Sequence, residues 1–166
     1  MIKLLPDVDT GIDDALALFF LSEAQKKGQL EIPGCTTVGG NAEVAQTSRN
    51  TLKIWEMAGA KIPVASGAER PLLSSLNTAP LVHGDDGLGN TFLSPPKESA
   101  SEESAADMIL RISHQHAGEL TLLTTAPLTN LGAALLHDPM LAGRIRNLVC
   151  MGGAVFTGNV SAVAEA

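Results

Sequence analysis

Hydrophobic residues along the 166-residue chain fall in short blocks whose spacing alternates between strand-like and helix-like. Ile2 to Leu5 is a short apolar run of the kind that forms a buried strand. Ile12 to Lys26 follows as a helix, with Asp13 and Asp14 in the first turn, where the helix dipole favours anions. Leu30 to Val38 reads as a second strand, and Pro33 restricts it, because proline suits only a strand start or an edge. From Glu43 to Gly59 the periodicity is helical: Val44, Thr47, Thr51, Ile54, Trp55 and Ala58 share one side, and Gly59 ends the run. Ile62 to Ala65 is a third, short strand.

Ser66 to Glu103 shows little regular pattern. A segment that long inside a compact domain is usually functional or disordered. Its stretch from His83 to Asn90 reads as functional, and Ser94 to Ser104, rich in Ser, Glu and Pro, as a solvated loop. Regular patterning then resumes. Ser104 caps a helix to His116, Leu120 to Thr125 is a strand, Leu128 to His137 a helix and Asn147 to Met151 a strand. Asp138-Pro139 stops the last helix, since proline disfavours helical geometry in the residue before it. This alternation predicts a doubly wound, mostly parallel α/β sheet with helices on both faces, in a single domain spanning 1–166. The Gly-rich stretch from Gly152 to Ala166 brings no closing helix, so the chain is expected to be the N-terminal half of a longer domain.

Composition narrows the partners. At 45% hydrophobic and 17% charged residues, the chain suits a soluble globular domain. No apolar run approaches the roughly 20 residues of a membrane span. The net charge of −7, with eleven scattered Lys and Arg, argues against nucleic-acid binding and for a metal cation or a neutral polar ligand. Cys35 and Cys150 read as two buried thiols in a reducing cytosol, and the N-terminus lacks signal-peptide features, so a cytoplasmic location is expected.

The candidate chemistry starts at Asp7-Val8-Asp9-Thr10-Gly11-Ile12-Asp13-Asp14, where four carboxylates crowd a strand-to-helix turn. Asp7 and Asp9 should leave the strand on the same side. So many acids repel, and some take up protons unless a cation sits among them. Hard divalent cations prefer such oxygen ligands. In a doubly wound sheet, ligands gather beyond the C-terminal strand ends. The loops there carry the Asp turn, Gly39-Gly40-Asn41, Thr124-Thr125-Ala126-Pro127 and Met151-Gly152-Gly153.

The Asp turn and the helix start after it resemble the DxDPGxDD signature of the inosine-uridine-preferring nucleoside hydrolase family. Further blocks occur in that family's order: Thr36 to Asn41, His83 to Gly89, Thr125 to Asn130, and Met151-Gly152-Gly153 followed by Gly158-Asn159-Val160 and Ala164-Glu165. The resemblance covers nearly the whole chain and the family's N-terminal half. It implies hydrolysis of the N-glycosidic bond of small-molecule nucleosides, with Ca²⁺ as cofactor and a homo-oligomer when full length. By the same resemblance, Asp9 and Asp14 would bind Ca²⁺ through their side chains and Thr125 through its carbonyl, with Asp9 also the general base. Asp13, Asn159 and Glu165 would hold the ribose hydroxyls, Asn41 and Met151 would line the sugar pocket, His83 would lie near the leaving base, and Asp7 would support the site from behind.

Thr10 stands where the family has proline and should loosen the turn; Ala126 stands where glycine is common. The family's last aspartate ligand and its leaving-group histidine have no counterpart in these residues. Two rival readings remain. Asp7-Val8-Asp9-Thr10 also resembles the start of haloacid-dehalogenase-type phosphatases, with Asp7 as nucleophile. Alternatively the chain is an inactive fragment or a metal-dependent nucleoside-binding module.

Overall fold

A computed structural model describes residues 1–156 and 158. Its strands are β1 (Ile2–Val8), β2 (Leu30–Glu31), β3 (Cys35–Thr37), β4 (Val64–Ser66), β5 (Leu120–Thr124) and β6 (Ile145–Cys150). Between them run α1 (Ile12–Lys26), α2 (Val44–Met57), α3 (Pro80–His83), α4 (Ala105–Gln115), α5 (Thr129–His137) and α6 (Leu141–Arg144). All pairings among these strands are parallel, in the order β4-β3-β1-β5-β6. This is the doubly wound sheet that the alternating pattern predicts.

The second strand differs from its expected form. Leu30 to Val38 divides into β2, beside the start of β1, and β3, beside its end. Ile32-Pro33-Gly34 separates them, because proline cannot donate to the ladder. Within Ser66 to Glu103 only the short α3 and an isolated bridge from Ala65 to Ser101 are regular. The sequence pattern missed α6, and β6 begins two residues earlier than expected, at Ile145. Cys35 is buried, whereas Cys150 is exposed, because β6 ends the described strand order and its outer residues lack cover.

Alternation along β1 sends Leu4 and Leu5 to opposite faces, and each joins a separate core. Leu4 packs with Leu18, Leu21, Ile54 and Trp55 beneath α1 and α2. Leu5 packs with Met108, Ile112, Leu122 and Leu131 beneath α4 and α5. The winding runs from β1 outward through β3 to β4, then returns to the other side of β1 at β5. The C-terminal ends of β1 and β5 therefore flank the point where the strand order reverses, the usual place for a ligand in such sheets.

Candidate active site

The acid turn is distributed rather than crowded. β1 ends at Val8, and Asp9 lies just beyond it, 5% exposed. Its Oδ2 accepts a hydrogen bond from the Asn41 amide at 2.7 Å. A Cβ on Gly40 would overlap that oxygen, so only glycine lets this loop approach. Asp14 is 3% exposed in the first turn of α1. Its Oδ2 accepts from the Gly11 amide at 3.2 Å and its Oδ1 from the Thr125 hydroxyl at 2.6 Å. The Thr125 bond joins the end of β5 to the first turn of α1, across the reversal point.

Burial pushes the Asp9 carboxyl up to about 7, and the neighbouring Asp14 charge adds to the rise. Burial raises Asp14 too, against the hydrogen bonds from Thr125 and Gly11. The two carboxyls lie near enough for each to influence the other's affinity for a proton. No ion pair among the described residues involves either. Two buried acids facing each other without a cationic neighbour suit a divalent cation between them. Two carboxylates alone make an incomplete cage: among the described residues, no group of three or more His, Cys, Asp or Glu side chains converges.

Asp7 and Asp13 leave this pair in opposite directions. Asp7 is fully buried, and its Oδ1 accepts from the Thr36 hydroxyl at 2.7 Å and the Asn130 amide at 2.8 Å. Burial lifts its carboxyl to about 6 despite those bonds. Asp7 and Asp9 meet different partners: Thr36 and Asn130 hold Asp7, and the Asn41 amide holds Asp9. An Asp7 sealed in this way has no path to a substrate, which tells against the phosphatase reading. Asp13 turns outward, its side chain 65% exposed, with Oδ1 at 3.9 Å from His83 Nδ1.

The remaining predicted residues ring the pair unevenly. Asn41 and His83 meet over Gly11, where an added Cβ would lie 2.8 Å from Asn41 Nδ2 and 2.6 Å from His83 Nδ1. Met151 is part-exposed beyond β6, its amide donating to the Thr124 carbonyl at 2.8 Å. Asn159 and Glu165 lie outside the described residues. A hollow of about 300 Å³ borders Asn41, Glu43, Gln46, Thr78 and Gly84, but neither Asp9 nor Asp14 lines it.

Several residues whose individual supporting roles the sequence does not reveal hold this arrangement. Asn130 donates to Asp7 and to the Thr37 carbonyl, and accepts from the Ala68 amide. Its signal was an amide one helical turn before Ala134, on the inward row of α5. Asn50 donates to the carbonyls of Thr10 and Asp86, tying the acid turn to the loop after His83. Asp86 organises that loop by accepting from the amides of Leu88, Asn90 and Phe92. Thr10, at the family's proline position, is buried, and its hydroxyl pairs with Thr51 of α2 at 2.6 Å.

A parallel, doubly wound α/β sheet with a buried acid pair at its reversal point defines a class of small-ligand-binding folds. The sequence narrows it further. The family model described as inosine-uridine preferring nucleoside hydrolase matches residues 4–166. The chain belongs to that family. It is 41% identical to uridine nucleosidase 1 of Arabidopsis thaliana, over 99% of this chain and 49% of the relative. It is 34% identical to the inosine-uridine preferring nucleoside hydrolase of Leishmania major, over 98% of this chain and 52% of the relative. Among solved structures, a plant nucleoside hydrolase superposes with a TM-score of 0.92 at 36% identity, covering 99% of this chain and 52% of that one. A purine-preferring ribonucleoside hydrolase from Gardnerella vaginalis gives 0.88 at 32% identity, covering 96% and 52%. The chain spans about half the length of the relatives it matches.

Proposed function

We propose that the intact protein hydrolyses the N-glycosidic bond of ribonucleosides, releasing base and ribose. The observation that carries this is the Asp9–Asp14 pair, buried side by side at the β1/β5 reversal in a chain of this family. In this reading Asp9, Asp14 and the Thr125 carbonyl hold a divalent cation, Ca²⁺ by the family resemblance. Bound there, the cation would neutralise the pair and acidify a nearby water. Asp9 would accept that water's proton. The water oxygen bonds to the anomeric carbon, and the electrons of the C–N bond leave with the base. Positive charge builds on the sugar meanwhile, and an acidic pocket stabilises it. Asp13 and Asn41, with Asn159 and Glu165, orient the ribose; Met151 lines its pocket, and His83 faces the base.

The named relatives differ in base preference, so inosine and uridine are both suitable substrates to test. We place the reaction in nucleoside salvage in the cytoplasm, carried out by a homo-oligomer. No helix of the described residues is long and apolar enough to cross a membrane. The decisive experiment is Asp9→Ala in the intact protein, assayed for ribose release. We expect a loss of at least about a thousandfold, from removing base and ligand together. A near wild-type rate would refute the assignment.

A further inference from the structure

Asn50 occupies a buried, inward position on α2, and one side-chain amide there serves two loops. Its Nδ2 donates to the Thr10 carbonyl at 3.1 Å and to the Asp86 carbonyl at 2.9 Å. A carbonyl can only accept, so both amide protons are committed. Oδ1 accepts from Gln46 Nε2 at 2.8 Å, and the same Gln46 nitrogen donates to the Asp86 carbonyl at 3.2 Å. Gly87 lets the second loop come this close: its φ is 73°, and a Cβ there would lie 2.8 Å from Asn50 Nδ2.

The two loops depend on Asn50 unequally. The acid turn has other fixings, with the Thr10 hydroxyl on Thr51, Asp9 on the Asn41 amide and Asp14 on Thr125. Residues 84–92 instead brace themselves. The Asp86 carboxylate accepts from the amides of Leu88, Asn90 and Phe92, and the Asn90 side chain accepts from the Asp85 amide. Among the described residues, hydrogen bonds join this loop to anything beyond the adjoining α3 at a single atom, the Asp86 carbonyl. Leu88 adds a buried apolar foothold, but apolar burial has no direction. The loop is a stiff piece held by one oriented clamp. Its Gly84 and Asp85 wall the hollow of about 300 Å³ that Asn41 also lines.

We propose that Asn50 is a positioning residue for substrate binding: it sets the place of the 84–92 loop against the acid turn, and through it the shape of the hollow beside Asn41. This rests on the nucleoside reading for the substrate, but not for the coupling between the loops. Asn50→Asp keeps the shape of the side chain and turns an oxygen toward both carbonyls, which it repels. In the intact protein, KM for inosine or uridine should rise about tenfold while kcat falls by less, the pattern of lost uniform binding. Calcium affinity, measured by calorimetry without substrate, should change by less than about threefold, well short of the roughly tenfold or more that losing a ligand's direct partner brings. An unchanged KM overturns the proposal. So does a tenfold loss of calcium affinity, which would put the role of Asn50 in the acid turn.

Hydrogen exchange tests the coupling with no substrate present. The Ile12 amide of α1 donates to His83 Nδ1 at 3.2 Å, so it reports whether α3 and its loop stay against the turn. In Asn50→Asp this amide should exchange about tenfold faster, while the Leu88 and Asn90 amides, held by Asp86, keep their protection. No change at Ile12, or equal acceleration of all three, overturns the proposal. Gly87→Ala strains the same clamp from the loop side and leaves α2 intact. If Asn50→Asp does not fold, the same shifts are expected of Gly87→Ala, and a wild-type Ile12 rate in it overturns the proposal. If the intact wild type cleaves no nucleoside, the KM comparison falls with the nucleoside reading, and the exchange rates still decide whether Asn50 places the loop.

Discussion

At Asp7 the competition between solvation and hydrogen bonding can be measured. Thr36 and Asn130 both donate to Oδ1, while Oδ2 is buried with no partner among the described residues. The cost of burying the charge exceeds the gain from two hydrogen bonds, so the carboxyl rises to about 6. A folded value above the unfolded one means that the folded state binds the proton more tightly. The stability this contributes is present below the ordinary carboxylate range and is lost as pH rises through about 6. A rise of this size corresponds to about 3 kcal/mol. Asp7→Asn keeps the Oδ1 acceptor and removes the charge. Its thermal midpoint should match the wild type at pH 4 and exceed it at pH 8; parallel pH profiles for the two proteins would rule this account out. The sequence shows four acids in a turn, and from that spacing they look equivalent. Their separate fates depend on partners as distant as Asn130, 123 positions from Asp7. No local pattern contains such a pairing.

At the scale of elements, Asn130 fastens α5 to the sheet. Its amide reaches Asp7 on β1 and the Thr37 carbonyl on β3, and its oxygen takes the Ala68 amide beyond β4. One side chain thus holds three strand ends in register behind the acid pair. Asn130→Ala would leave buried donors and acceptors unpaired, at a cost of about 2–4 kcal/mol. Denaturant melts should show this as a lowered midpoint with an unchanged slope; a loss below about 1 kcal/mol would show that water or neighbours replace the amide. Elements themselves were legible wherever local chemistry sets their ends. α1 spans Ile12–Lys26 as the pattern predicts, because Gly11 and Asp14 close its start and Gly28, with φ of 70°, closes its end. α4 starts after Ser104, whose hydroxyl accepts the Asp107 amide at 3.1 Å. β2 and β3 were merged in the sequence reading because apolar content runs through Ile32, while register depends on which part of β1 each strand meets. α6 is four residues long, too short for a periodic signal.

For the molecule as a whole, the order of strands and loops was readable because alternating strands and helices leave few topologies open, and that order brings Asp9, Asn41 and Thr125 to neighbouring strand ends. What the pattern could not show is which surfaces stay bare. Among the described residues β6 pairs only with β5, and its Leu148 and Val149 are about half exposed. On α1, Ile12, Leu16 and Phe20 recur every four residues, so they share one face, and all three are exposed. An open parallel edge and an unpartnered apolar stripe are both surfaces that proteins normally cover. The 166-residue chain produced alone should therefore self-associate, its sedimentation coefficient rising with concentration. Two substitutions test the two surfaces separately. Val149→Lys puts a charge on the open edge, and Phe20→Glu breaks the α1 stripe; neither apolar side chain hydrogen-bonds to the acid pair. If the edge drives association, the lysine variant should sediment as a monomer while the glutamate variant still associates, and the reverse result would assign the contact to α1. A wild-type chain that remains monomeric at high concentration would rule out both surfaces as association sites.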